Sequence, residues 1–111
     1  MSVAAAVAPS ILTGTWHNTN ARGRVSRITI DGDTIETPEW GRAAARLYGE
    51  SLCSDEASAF SARFTRDDVD VRLQANIKGG VLVVAYFTRF LDASGGSPYF
   101  CREFYWREVK R

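Results

Sequence analysis

An all-β fold, an eight-stranded antiparallel up-and-down barrel, is predicted by three features of this chain. Polar and apolar residues alternate with a period of two along most of its length, the mark of half-buried strands. Turn residues recur at short intervals, so that eight strands fit in 111 residues. Eight strands this short would leave exposed edges in a flat sheet, and closure removes them.

The strands follow in order after residues 1–10, where small apolar residues run into Pro9. This stretch has no basic leader region and is expected to be a loosely docked arm, with the barrel spanning residues 11–109. A cytoplasmic location follows from the same reading. Residues 11–19 form the first strand and end at Asn20-Ala21-Arg22-Gly23. Val25 to Ile30 alternates, with Ile28 and Ile30 inward, and Asp31-Gly32-Asp33 turns the chain into Thr34-Ile35-Glu36. Residues 43–47 have helical propensity, but Gly41 and Gly49 leave too few positions for a stable helix. A strand is expected there, with a helix as the alternative.

Residues 59–66 follow as a strand. Asp68 to Ile77 alternates without a break, placing Val69, Val71, Leu73, Ala75 and Ile77 inward. Lys78-Gly79-Gly80 turns this strand into residues 81–91, and a longer loop leads to the last strand, residues 99–108.

Composition excludes several functions. Fourteen Lys and Arg against thirteen Asp and Glu give a net charge of +1, so no nucleic-acid partner is expected. No apolar run reaches 18 residues, so no membrane partner is expected either. Cys53 and Cys101 form no CxxC pair and His17 is the only histidine, which excludes a structural zinc site of about four such ligands. Two free, buried thiols are expected. Asp67-Asp68-x-Asp70 lacks the bidentate glutamate of a calcium loop and reads as a solvated turn and outer strand face. No phosphate loop, dinucleotide fingerprint or metalloprotease helix occurs, and no cofactor is expected.

The opening strand, Gly14-Thr15-Trp16-His17-Asn18, resembles that of the avidin and lipocalin families, the calycin barrels. The resemblance implies that Gly14 lets the strand coil and that the Trp16 indole plugs one end of the barrel. It also implies an arginine from the end of the barrel across that indole, for which Arg107 is best placed. Asn18 falls where avidins make a polar ligand contact. The segments Pro38-Glu39-Trp40-Gly41 and Tyr86 to Gly95 are similar to a group of small bacterial barrel domains.

Eight of the thirteen aromatic residues lie between Tyr86 and Trp106. They occupy both faces of the last hairpin, which points to a homodimer interface on the outside or to an aromatic cavity within. On the last strand Tyr99, Cys101, Glu103, Tyr105 and Arg107 share one face, and Phe100, Arg102, Phe104, Trp106 and Glu108 the other. The bulkier hydrocarbon of the second set favours that set inward. With the first set inward, Glu103 would be a desolvated carboxylate able to act as acid or base. Alternation turns His17 outward from a barrel that holds Trp16.

The expected function is binding of a small apolar or amphipathic ligand in the barrel, with Tyr86, Tyr99, Phe104, Trp106 and Asn18 as contacts. The alternative is a cofactor-free cyclase or isomerase that folds a flexible substrate inside the barrel, with Glu103, Tyr105 and Arg107 as its catalytic groups. A fully packed dimeric module is the third reading.

Overall fold

A computed structural model describes residues 11–49, 57–66, 68–91 and 98–109. The eight expected strands are present: β1 (Gly14–Asn18), β2 (Arg27–Asp31), β3 (Thr34–Thr37), β4 (Gly41–Tyr48), β5 (Ala59–Arg66), β6 (Val69–Lys78), β7 (Val81–Phe90) and β8 (Tyr99–Arg107). Each pairs antiparallel with its neighbours in sequence, and β8 returns to β1 through Trp16↔Arg107, His17↔Trp106 and Asn18↔Tyr105. The result is a closed up-and-down barrel, compatible with a calycin-like fold. The arm at residues 1–10, Cys53 and most of the β7–β8 loop lie outside the described residues. Among the described residues no helix is long and apolar enough to cross a membrane.

Local chemistry fixes the register. The β6–β7 hairpin turns on Gly79 and Gly80, whose φ angles of +60° and +80° suit a two-residue turn that matches strand twist. Residues 43–47 are strand and not helix. Ala43, Ala45 and Leu47 pack against the core while Arg42, Ala44 and Arg46 face out, so pairing on both edges overrides helical propensity.

The interior is filled. Leu12, Trp16, Ile28, Ile30, Ile35, Phe60, Leu73, Leu82, Val84, Tyr86 and Tyr105 are all at most 1% exposed. Burying each aliphatic or Phe side chain contributes about 1.5–3 kcal/mol. At one end, Trp16 donates its indole N–H to the Leu12 carbonyl at 2.8 Å. Arg107 lies across the same ring, 4.6 Å from its centroid. At the other end the chain between β1 and β2 folds over the barrel mouth.

Candidate functional site

Alternation along β7 and β8 turns Tyr86, Thr88, Tyr99, Cys101, Glu103 and Tyr105 toward the interior below this mouth. Their polar atoms converge on the β1–β2 loop. The Tyr105 hydroxyl donates to the Val25 carbonyl at 2.7 Å. With its one proton so used, it accepts from the Tyr86 hydroxyl. The Asn18 side-chain amide nitrogen lies 3.0 Å from the Val25 carbonyl, 2.9 Å from Glu103 Oε1 and 3.3 Å from the Tyr105 hydroxyl. Arg24 donates its backbone N–H to both Glu103 carboxylate oxygens, at 3.0 and 3.1 Å. Gly23 sits so close to Asn18 and Glu103 that a side chain there would collide with both. The Arg24 guanidinium covers the Tyr99 ring, 4.3 Å from its centroid.

The electrostatics keep the two phenols and the thiol of this cluster protonated. Burial pushes the Tyr86 hydroxyl far above the ordinary phenol range, and the neighbouring Tyr105 adds to the shift. Tyr105 is raised too, chiefly by burial. Burial and the nearby Glu103 charge also push the Cys101 thiol up, which keeps it from being a ready nucleophile. The Glu103 oxygens are taken up by the Arg24 N–H and the Asn18 amide. Thr88 is the exception: its hydroxyl oxygen is buried and has no hydrogen-bond partner among the described residues.

Five of the expected site residues thus meet at one place: Asn18, Tyr86, Tyr99, Glu103 and Tyr105. Arg107 does not join them, because β8 carries it to the opposite end, over Trp16. The face of β8 favoured on bulk is corrected. Phe100, Phe104 and Trp106 are 51%, 47% and 50% exposed, on the outside of the barrel. The interior already holds Trp16, Phe60 and two tyrosines, and Tyr105 reaches a backbone carbonyl that a Phe or Trp on the other face could not. His17 does point outward, but it is half-buried, stacked on Trp106 at 4.7 Å and 2.7 Å from a Glu108 oxygen.

Sequence reasoning missed two participants, Thr88 and Arg24, and misread one residue outside the site, Asp70. Thr88 was detectable as the polar residue in phase with Leu82, Val84 and Tyr86. Arg24 acts through its backbone N–H, which no side-chain pattern reveals. Asp70 lies on the outer face but is buried, clamped by Arg63 at 2.8 and 3.0 Å; the run of three acidic residues made it look solvated.

Comparison with known protein families, curated proteins and solved structures finds no match to this chain.

Proposed function

We propose that this protein binds one small amphipathic molecule at the mouth of the barrel, beneath the β1–β2 loop. The observation that carries the reading is the Thr88 hydroxyl, buried in the inner row of β7 beyond Leu82, Val84 and Tyr86 and without a hydrogen-bond partner among the described residues. Leaving such a group unpaired costs about 1–3 kcal/mol, and a ligand hydrogen-bonding group beside it recovers that loss. The neighbouring polar atoms, the Glu103 carboxylate and the Val25 carbonyl, are acceptors now served by the loop and by side chains. A ligand head carrying hydroxyl or ammonium donors replaces those bonds as the loop lifts. The apolar body of the ligand lies against Tyr99 and Phe90, whose ring centroids are 6.1 Å apart.

Binding is favoured over the cyclase or isomerase reading by the state of the acid–base groups. Both phenols hold their protons, Glu103 is occupied by donors, and Arg107 stands at the far end. A packed dimeric module would not need an unpaired hydroxyl inside.

The test has two steps. Native mass spectrometry of the protein purified from its own host is expected to show a retained small molecule, whose mass names its class. Thr88→Val, nearly isosteric, is then expected to match or exceed the wild type in thermal stability while binding that molecule at least tenfold more weakly. Unchanged affinity in Thr88→Val, or a bare protein that no amphipathic compound stabilises, would sink the proposal.

A further inference from the structure

The net charge of +1 conceals a division of charge between the two sides of the barrel. Asp31, Asp33 and Glu36 are exposed on the hairpin of β2 and β3. On the other side, the outer face of β4 to β8 is hollowed into an open groove of about 980 Å³. Arg46, Arg63, Arg72, Lys78 and Arg102 line it, and among the described residues no carboxylate does. Arg63 is paired with Asp70, but Arg46, Arg72, Lys78 and Arg102 make no ion pair with any described residue. Alanines at 44, 59 and 85 keep the floor low enough for a ligand backbone to lie in it.

Beside it, sharing Arg72, is a second hollow of about 380 Å³ whose walls include Phe87, Phe100 and Arg89. The rings of Phe87 and Phe100 are 5.0 Å apart, and Arg102 stands over Phe100. Phe104 and Trp106 continue the row of exposed rings down β8. Cations without an ion-pair partner among the described residues, on the alternate strands β4, β6 and β8, and flat exposed aromatic faces beside them are the two components that hold a single-stranded nucleic acid: phosphates on the cations, bases stacked on the rings.

From this we infer that the outer face of β4–β8 binds single-stranded RNA or DNA without base specificity. Five strands at about 4.8 Å spacing give a path of roughly 19 Å. That suits a segment of a few nucleotides, the low end of the roughly 4–16 that single small barrels cover. The shape and charge disfavour other occupants. A flat anionic bilayer does not reach the floor of a concave groove. A second copy related by a two-fold axis sets Arg72, Lys78 and Arg102 against their own equivalents, like charge against like. An acidic peptide satisfies the cations but leaves the rings unused. The smaller hollow reaches Thr88 and Tyr99 at the barrel rim and so borders the small-molecule site, but the cations of the larger groove, which carry this inference, take no part in that site.

The experiment is fluorescence anisotropy with labelled twelve-residue oligo-U and oligo-dT, the full chain and a series of salt concentrations. Four phosphate contacts predict a slope of log affinity on log salt near −2.8, or about a fiftyfold loss between 50 and 200 mM. Preferential binding of oligo-U over oligo-dT would assign RNA as the ligand, and equal binding would leave both; either supports the inference. Arg72→Glu with Arg102→Glu is expected to weaken binding at least tenfold. Phe100→Ala, which alters no charge, is expected to weaken it about five- to a hundredfold. Arg27→Glu, a cation on β2 outside the groove, is expected to change affinity less than threefold. Circular dichroism confirms that each variant is folded. The inference is overturned if neither oligonucleotide binds at 50 mM salt, or if the double charge reversal leaves affinity unchanged. It is overturned equally if polyglutamate, anionic vesicles or a duplex of the same length compete as well as the single strand. A dimer in sedimentation that the double reversal alone dissolves would mean that a second copy occupies the face.

Discussion

The Arg107 guanidinium lies over the indole of Trp16, 4.6 Å from its centroid, and the two are directly paired residues of β8 and β1. The contact joins the last strand to the first at the point where the barrel closes. Arg107 also donates to the carbonyls of Ile11 and Thr13, so the chain before β1 is drawn under the barrel end. A guanidinium does this better than an ammonium, because its planar fork stacks on a ring and donates from its edge at once.

Trp16→Ala is therefore expected to cost about 3–5 kcal/mol of stability, as truncation of a fully buried large aromatic does. Arg107→Ala is expected to cost about 1–2 kcal/mol, and Arg107→Lys to recover little of that. Urea unfolding of both single variants and the double variant measures the coupling. If their losses simply add, the ring–guanidinium contact contributes nothing and closure rests on the backbone ladder alone.

The two buried tyrosines predict an asymmetry. Tyr86→Phe removes a donor and leaves Tyr105 with its bond to Val25 and the Asn18 amide beside it. Tyr105→Phe leaves the Tyr86 hydroxyl stranded in the core and removes the clasp on the loop. The first is expected to cost about 1 kcal/mol and the second about 2–3, the excess being the stranded hydroxyl. Equal losses in chemical denaturation would show that the chain of hydroxyls does not run in this direction.

The barrel was readable in the chain because a period of two is a strong local signal, and β5 is found at Ala59–Arg66 as the pattern placed it. The orientation of β8 was not, because each of its faces mixes rings with charges and bulk favoured the wrong one. The information was nevertheless present. An Arg107 that crosses Trp16 must face inward, and alternation then carries Tyr105, Glu103, Cys101 and Tyr99 inward with it. The sidedness of charge was invisible for a different reason. A sum over the chain counts Asp31 and Arg72 alike, and only strand order places β2 and β6 on opposite walls.

Asp70 makes stability depend on acid. The hydrogen bond from Arg63 is the main cause that holds its carboxyl below the usual carboxylate range, against the opposing effect of burial, with Thr65 and Arg89 adding to the hold. A carboxyl that is more acidic in the folded than in the unfolded chain contributes its stability above the unfolded value, about 3.9, and loses it as pH falls through the folded one. The wild type is expected to keep this contribution from neutral pH down to about pH 4 and to lose it below. Asp70→Asn should be less stable at pH 7 and should close the gap on the wild type as pH drops toward 2. Parallel pH profiles for the two proteins would show that the pair contributes nothing.

Gly23 tests whether the loop over the mouth is held as tightly as its hydrogen bonds suggest. A Cβ at this position would overlap the Asn18 amide and press on Glu103 Oε1. Neither can give way freely: Asn18 is bound to Val25 and Glu103, and Glu103 to the Arg24 N–H. Gly23→Ala is therefore expected to cost about 1–3 kcal/mol, the range for forcing extra volume into a filled site. The loss should fall on the loop more than on the barrel. Hydrogen exchange of the Arg24 amide should accelerate strongly, while amides of the β6–β7 ladder, whose backbone bonds lie within that hairpin, should change only by the drop in global stability. A Gly23→Ala chain with wild-type exchange at Arg24 would mean that the loop already leaves the mouth on its own, and that Glu103 does not hold it.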